Sequence, residues 1–162
     1  GRNGECPMVV MAAHSPADCF DAAFNAARIA LEHMTPVLLL TEGFLGNGSE
    51  PWHIPSMKDY PEIRPPFAEP GKPYKPFERD PQTLVRRWAV PGMPGCEHRV
   101  GGLEKNHEGV LSSDPQNHAV MVYEREQKVL NIADHIPELD HEHSGSPLIQ
   151  ARGRHAGGSQ RH

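Results

Sequence analysis

The chain has 162 residues, room for one ordinary domain, yet only 37% of them are hydrophobic and 17 are proline, a poor composition for closing a core. Its formal net charge of -5 excludes a module that holds nucleic acid by basic charge. Cys6, Cys19 and Cys96 form no CxxC pair, which excludes a cysteine-ligated cluster, and with neither a signal peptide nor a run near the roughly 20 apolar residues of a membrane span, a soluble cytoplasmic protein with free thiols is expected.

Residues 1–5 (GRNGE) form a polar loop whose one cation is Arg2. An arginine there is either solvated or grips an anion, since its planar fork matches a carboxylate or a phosphate. The chain opens without methionine on a loop-like GRNG, so it is expected to be a piece of a longer protein. Residues 8–12 (MVVMA) are a short apolar run of the kind a parallel strand shows when both its faces are covered. Ser15 and Pro16 then offer an N-cap and a first helical residue. Phe20, Phe24, Ala27, Leu31 and Met34 follow at helical spacing, widened by Ala23 and Ala30, and this stripe is the expected buried face of a helix of about five turns. Ile29 falls off the stripe. Pro36 stops the helix by pushing Thr35 out of the α region. Residues 37–41 (VLLLT) form a second apolar run, so the stretch reads as a right-handed βαβ unit. Such a unit has two open edges and cannot cover both faces of its sheet, so it is expected to join a larger one.

The glycine-rich segment 41–50 (TEGFLGNGSE) follows the second strand, where parallel sheets bind ligands, but it matches no phosphate-binding pattern and is expected to be a plain turn. Between Pro51 and Pro94 lie 11 of the 17 prolines, interleaved with Trp52, Tyr60, Phe67, Tyr74, Phe77 and Trp88. Proline forbids helix and central strand there, and the aromatic residues argue against disorder. An extended arm laid across another surface is expected, wrapping a partner or tethering two domains. Residues 91–95 (PGMPG) predict two tight turns, and residues 99–104 a short strand or turn. Ser113, Asp114 and Pro115 open a second helix to about Asp134, with Ala119, Val122, Val129, Ile132 and Ala133 as its stripe. Glu124, Arg125, Glu126 and Lys128 make a charged cluster on it, expected at the surface or an interface. His135, Asp140, His141, Glu142 and His143 lack a scaffold to fix a metal, and a solvated turn is expected. The residues from 144 on hold no acid and three arginines, without periodicity. No GxSxG, HExxH or P-loop occurs, and a Cys19–His14 nucleophile pair would lack an orienting third group.

Four stretches taken together carry a resemblance: GRNGECPMVVMA, SPADCFDAAFNAARIALEHMTPVLLLTEGFLGNGSEPWHIP, RRWAVPGMPGCEHRVGGLEKN and SSDPQNHAVMVYEREQKVLNIA, in order from Gly1 to about Pro137. In these the chain resembles the alpha subunit of 2-oxoacid:ferredoxin oxidoreductases, particularly the 2-oxoglutarate type. The resemblance implies an α/β fold. Residues 1–50 would be the later part of a pyrimidine-binding, thiamine-diphosphate domain, residues 51–112 a proline-rich extended arm, and residues 113–136 a helix leading to the next domain. It implies oxidative decarboxylation of a 2-oxoacid with coenzyme A to acyl-CoA, carbon dioxide and reduced ferredoxin. Thiamine diphosphate with Mg, held mostly by the beta subunit, would supply the carbanion-stabilising chemistry, and Fe–S clusters in the partner subunit or ferredoxin the electron path. The family's activating glutamate would precede Gly1, so no catalytic residue carries over. Arg2 is the one expected substrate contact, a cation for the distal carboxylate of a dicarboxylate. The family continues past residue 137 into another α/β domain, whereas residues 137–162 depart from it as a disordered or aberrant tail, whether by frameshift, truncation or natural divergence. The alternative is a non-catalytic adaptor whose aromatic, proline-rich arm wraps a protein partner.

Overall fold

The computed structural model describes residues 6–134 and 136. β1 (Val9–Ala12) and β2 (Val37–Leu40) lie parallel, with Val9 opposite Val37 and Ala12 opposite Leu40, and α1 (Cys19–Glu32) connects them. This is the expected βαβ unit. The prolines and their short apolar runs set its strands, and α1 is the crossover that parallel pairing requires.

Pro16 does not open the helix. Residues 15–18 turn first, with the Ser15 hydroxyl accepting from Asp18 N at 3.3 Å and the Asp18 carboxylate accepting from His14 N at 3.0 Å. Helix α1 starts at Cys19 and has 14 residues, shorter than its sequence predicts. Its buried residues are Ala22, Ala26 and Ile29, which corrects the expected stripe. Alanines let the helix sit close on the sheet, and the larger Phe20 and Phe24 rings turn aside. There the arm covers them: Phe20 meets Trp52 at 5.8 Å and Tyr60 at 5.6 Å between centroids, and Phe24 meets Tyr60 at 4.7 Å. The Tyr60 hydroxyl also donates to Asp21, which is the main reason its pKa is pushed up to about 12.

The end of α1 explains how the rest of the chain docks. A helix leaves its last carbonyls without intrahelical donors. Trp88 Nε1 from the arm donates to Leu31 O at 2.8 Å, and Lys128 Nζ from α3 (Pro115–Ala133) donates to Met34 O at 2.8 Å. Met34 itself has φ 44°, a left-handed conformation that costs a non-glycine residue ~1–2 kcal/mol. The arm is therefore laid across this chain's own helix. Its aromatic anchors Trp52, Tyr60 and Trp88 all contact α1.

Within residues 51–112, regular structure is confined to a 3-10 turn (Met57–Asp59) and isolated bridges pairing Phe67 with Trp88, Arg79 with Arg86, and Lys105 with Leu111. Of the strand or turn expected at residues 99–104, the chain forms a bend at residues 101–103, and pairing begins at Lys105. Gly92 and Gly95, with φ 87° and 81°, form the two predicted turns, closed by Met93 N to Val90 O at 3.0 Å and Cys96 N to Met93 O at 3.2 Å. Gly109 has φ 83°, and a Cβ there would lie 2.5 Å from Pro76 Cγ, so only glycine lets the 106–110 turn pack on Pro76.

Helix α3 opens as its sequence predicts, with Asp114 accepting from Gln116 N at 3.2 Å and Pro115 in the first turn. Its buried residues are Met121, Lys128 and Ile132, while Ala119 and Ala133 are exposed, so the expected stripe is again off by a fraction of a turn. Ile132 joins Val9 and Ile29 in the core, with Met11, Val37, Val129 and Ile136 packed around them. This core lies on one face of the sheet. The other face carries Val10, Leu38 and Leu40, exposed at 55%, 50% and 52%. The described residues thus cover one face of the sheet, as expected of a βαβ unit that cannot cover both.

Candidate functional site

Ligands of open parallel sheets sit beyond the carboxyl ends of the strands, so the loops after β1 and β2 are the first place to look. The loop after β2 is not the plain turn expected of its sequence. It forms α2 (Gly43–Asn47), a single short helix. The Glu42 carboxylate caps it by accepting from Leu45 N at 3.0 Å, and Asn47 Nδ2 closes it on Gly43 O at 2.7 Å. The chain then turns back sharply. A Cβ on Gly48 would lie 2.7 Å from Phe44 O, so the position demands glycine.

Glu50 ties this loop to the one after β1. Its carboxylate accepts from Ala17 N at 2.9 Å, and that bond, with a further one from Ser15, lowers its pKa. No local pattern in the sequence announces a contact between residues 17 and 50. Opposite it, His14 Nδ1 pairs with Asp18 Oδ2 at 2.8 Å. Cys19 Sγ faces Ser15 O at 3.5 Å. The histidine and the thiol therefore have separate partners, and the conceivable Cys19–His14 nucleophile pair is not assembled.

The carboxyl edge is acidic and closed on itself. Asp18, Glu42 and Glu50 all accept from backbone amides, and neither lysine nor arginine occurs in residues 13–19 or 41–50. Among the described residues, no group of three or more His, Cys, Asp or Glu side chains is placed to hold a metal ion. Arg2, His135 and residues 140–143 lie outside the described residues.

The amino ends of the same strands are different. Here, among the described residues, α3 meets the arm through two ion pairs, Arg79 with Glu124 at 2.7 Å and Arg125 with Glu104 at 3.1 Å, and two histidine–carboxylate contacts, His107 with Glu124 and His118 with Glu104, each at 2.9 Å. Lys128 is buried among them, at 7% exposure. Burial first, then the charges of Arg79, Arg86 and Arg125, draw its pKa down to about 7. Sequence places Lys128 in an exposed charged cluster. The signal that corrects this is its spacing, since Met121, Arg125, Lys128 and Ile132 recur at helical intervals whatever their polarity.

The family model described as pyruvate flavodoxin/ferredoxin oxidoreductase, thiamine-diphosphate-binding, matches residues 2–112. The chain is 51% identical over 141 residues to the 2-oxoglutarate oxidoreductase subunit KorA of Mycobacterium tuberculosis, covering 86% of this chain and 21% of that protein. It is 28% identical to the 2-oxoglutarate synthase subunit KorA of Methanothermobacter marburgensis, over 86% of this chain and 36% of that one. In fold it is similar to the 2-oxoglutarate:ferredoxin oxidoreductase of Magnetococcus marinus, with a TM-score of 0.72 and 24% identity over 83% of this chain and 23% of the other. The chain thus spans between about a fifth and about a third of these relatives. The described residues do not fit the diphosphate of thiamine diphosphate at the carboxyl edge. Three carboxylates and no cation line it, where a diphosphate calls for cations or free backbone amides.

Proposed function

The chain belongs to the pyruvate flavodoxin/ferredoxin oxidoreductase family, thiamine-diphosphate-binding, and from that premise we propose that it is part of the alpha subunit of a 2-oxoglutarate:ferredoxin oxidoreductase. The observation that carries the choice of substrate is the 51% identity to a 2-oxoglutarate oxidoreductase subunit over 141 residues. The bare sheet face supports the reading of a part, because Val10, Leu38 and Leu40 need apolar cover from further sequence or another chain. A stand-alone adaptor finds no support among these relatives.

In the assembled enzyme, a 2-oxoacid is decarboxylated and its acyl group passed to coenzyme A, with ferredoxin taking the electrons. Thiamine diphosphate, when bound, supplies the carbanion-stabilising chemistry. Mg and the Fe–S clusters belong to the beta subunit or ferredoxin, and the complex is cytoplasmic. Among the described residues no helix is long and apolar enough to cross a membrane. This chain's share is structural: α1 and the arm hold β1 and β2, and the Glu50–Ala17 tie fixes the loops beyond them. Arg2 is its one proposed substrate contact, receiving the distal carboxylate of 2-oxoglutarate through a bidentate pair.

Co-expression with a candidate beta subunit, followed by size-exclusion chromatography, tests the reading. A stable complex supports it, and persistent separation contradicts it. The chain alone is expected to give no 2-oxoglutarate-dependent reduction of viologen dye, and turnover by the purified chain would overturn the assignment as a part.

A further inference from the structure

At the amino ends of β1 and β2 lies a cavity of about 660 Å³, bounded by residues 6–8, residues 34–36, the arm and α3. That volume falls in the range of small-molecule sites, roughly 300–1,000 Å³. Five basic side chains line it: Arg79, Arg86, Lys105, Arg125 and Lys128, the last with a pKa of about 7 and so fully charged only below neutral pH. Among the described residues two carboxylates pair with them, Glu124 with Arg79 at 2.7 Å and Glu104 with Arg125 at 3.1 Å. The other three cations meet only neutral groups among the described residues. The Arg86 guanidinium lies 4.5 Å from the centroid of the Phe77 ring. Lys105 Nζ donates to Gly101 O at 3.1 Å and Leu103 O at 2.7 Å, with the residue 1% exposed. Lys128 Nζ donates to Met34 O.

Uncompensated charge away from water is costly, and proteins pair it or place a counterion beside it. Here the excess is positive, is drawn from three separate stretches of chain and faces one concavity. An arginine fork beside a lysine amine matches a compact oxyanion. The volume exceeds a bare phosphate, and Met8, Met34, Phe77 and Met121 supply apolar wall for a larger body. The geometry points to a binding site for a phosphate monoester, its phosphate held by Arg86 and Lys128 and its organic part lying against Phe77 and the methionines. The site lies at the opposite end of the strands from the Glu50–Ala17 tie, and it stands or falls independently of which 2-oxoacid the parent enzyme uses.

Isothermal titration of the full chain with inorganic phosphate and with phenyl phosphate, against chloride at matched ionic strength, tests it. Saturable binding of both is expected, tighter for phenyl phosphate. Arg86→Met weakens both by about tenfold, the loss expected for one charge-assisted contact. Glu104→Gln removes a negative charge from the lining and tightens both by about threefold, the order of a partly exposed charge pair. Phosphate heats no larger than those of chloride would overturn the site, as would succinate binding without phosphate binding, or equal affinities in Arg86→Met and the parent chain. Far-UV circular dichroism reports whether Arg86→Met folds. If it does not, Glu104→Gln decides, and an unchanged or weakened affinity there overturns the proposal.

Discussion

The two faces of the sheet are built from the same kinds of residue and meet different fates. Val9, Met11 and Val37 on one face pack against Ile29 of α1 and Ile132 of α3. Val10, Leu38 and Leu40 on the other face are about half exposed. The strands therefore carry apolar side chains for two layers, while the described residues supply only one. A sheet with both faces apolar is the mark of a parallel α/β domain covered on both sides. The bare face records the missing layer, in agreement with relatives of which this chain spans only a part.

The contrast predicts unequal responses to the same truncation. Ile29→Ala on the covered face is expected to cost about 2–5 kcal/mol in urea unfolding, through lost burial and a residual cavity. Leu38→Ala on the bare face should stay within about 0.5 kcal/mol in the isolated chain. Equal losses would mean that the second face is already covered. A smaller effect follows from Lys128, which helps fix α3 to the covered side. Its folded pKa of about 7 lies below the value it has when unfolded, so between the two the unfolded chain binds more protons and stability rises with pH. The melting temperature should therefore climb as pH rises from about 7 towards the ordinary lysine range, and Lys128→Met should flatten the climb. Trp88→Phe leaves the Leu31 carbonyl without its donor and is expected to cost about 1 kcal/mol, with faster amide exchange at the end of α1. The smallest change belongs to Tyr60. Its pKa is raised to about 12, so its bond to Asp21 stabilises below the ordinary tyrosine value and is lost as pH rises through 12. Tyr60→Phe should remove the latest step from the alkaline absorbance titration.

The βαβ unit was legible because Pro7 and Pro36 punctuate short apolar runs and 14 helical residues lie between them. The four stretches of resemblance, running from the βαβ unit through the arm to α3, gave the family. The faces were not legible. Large rings weigh heavily in any hydrophobic stripe, yet Phe20 and Phe24 serve the arm, while the small Ala22 and Ala26 serve the sheet. Helix starts misled in the same way, since Ser15 and Pro16 form a turn and Asp18 precedes the helix. The cationic cavity had no local signature at all. Met34, Arg79, Arg86 and Lys128 are brought together only by the arm's return across α1 and by the docking of α3. Aromatic and proline residues say that a segment rests on a surface, not whose surface it is, so the arm's contacts with α1 were not legible either.

The one-sided sheet is tested most directly by the dye 8-anilinonaphthalene-1-sulfonate, whose emission rises on exposed apolar surface. The folded chain should bring a strong rise, and the double variant Leu38→Glu, Leu40→Glu should abolish it while far-UV circular dichroism stays unchanged. Weak emission from the parent chain, or equal emission from both, would contradict a bare second face.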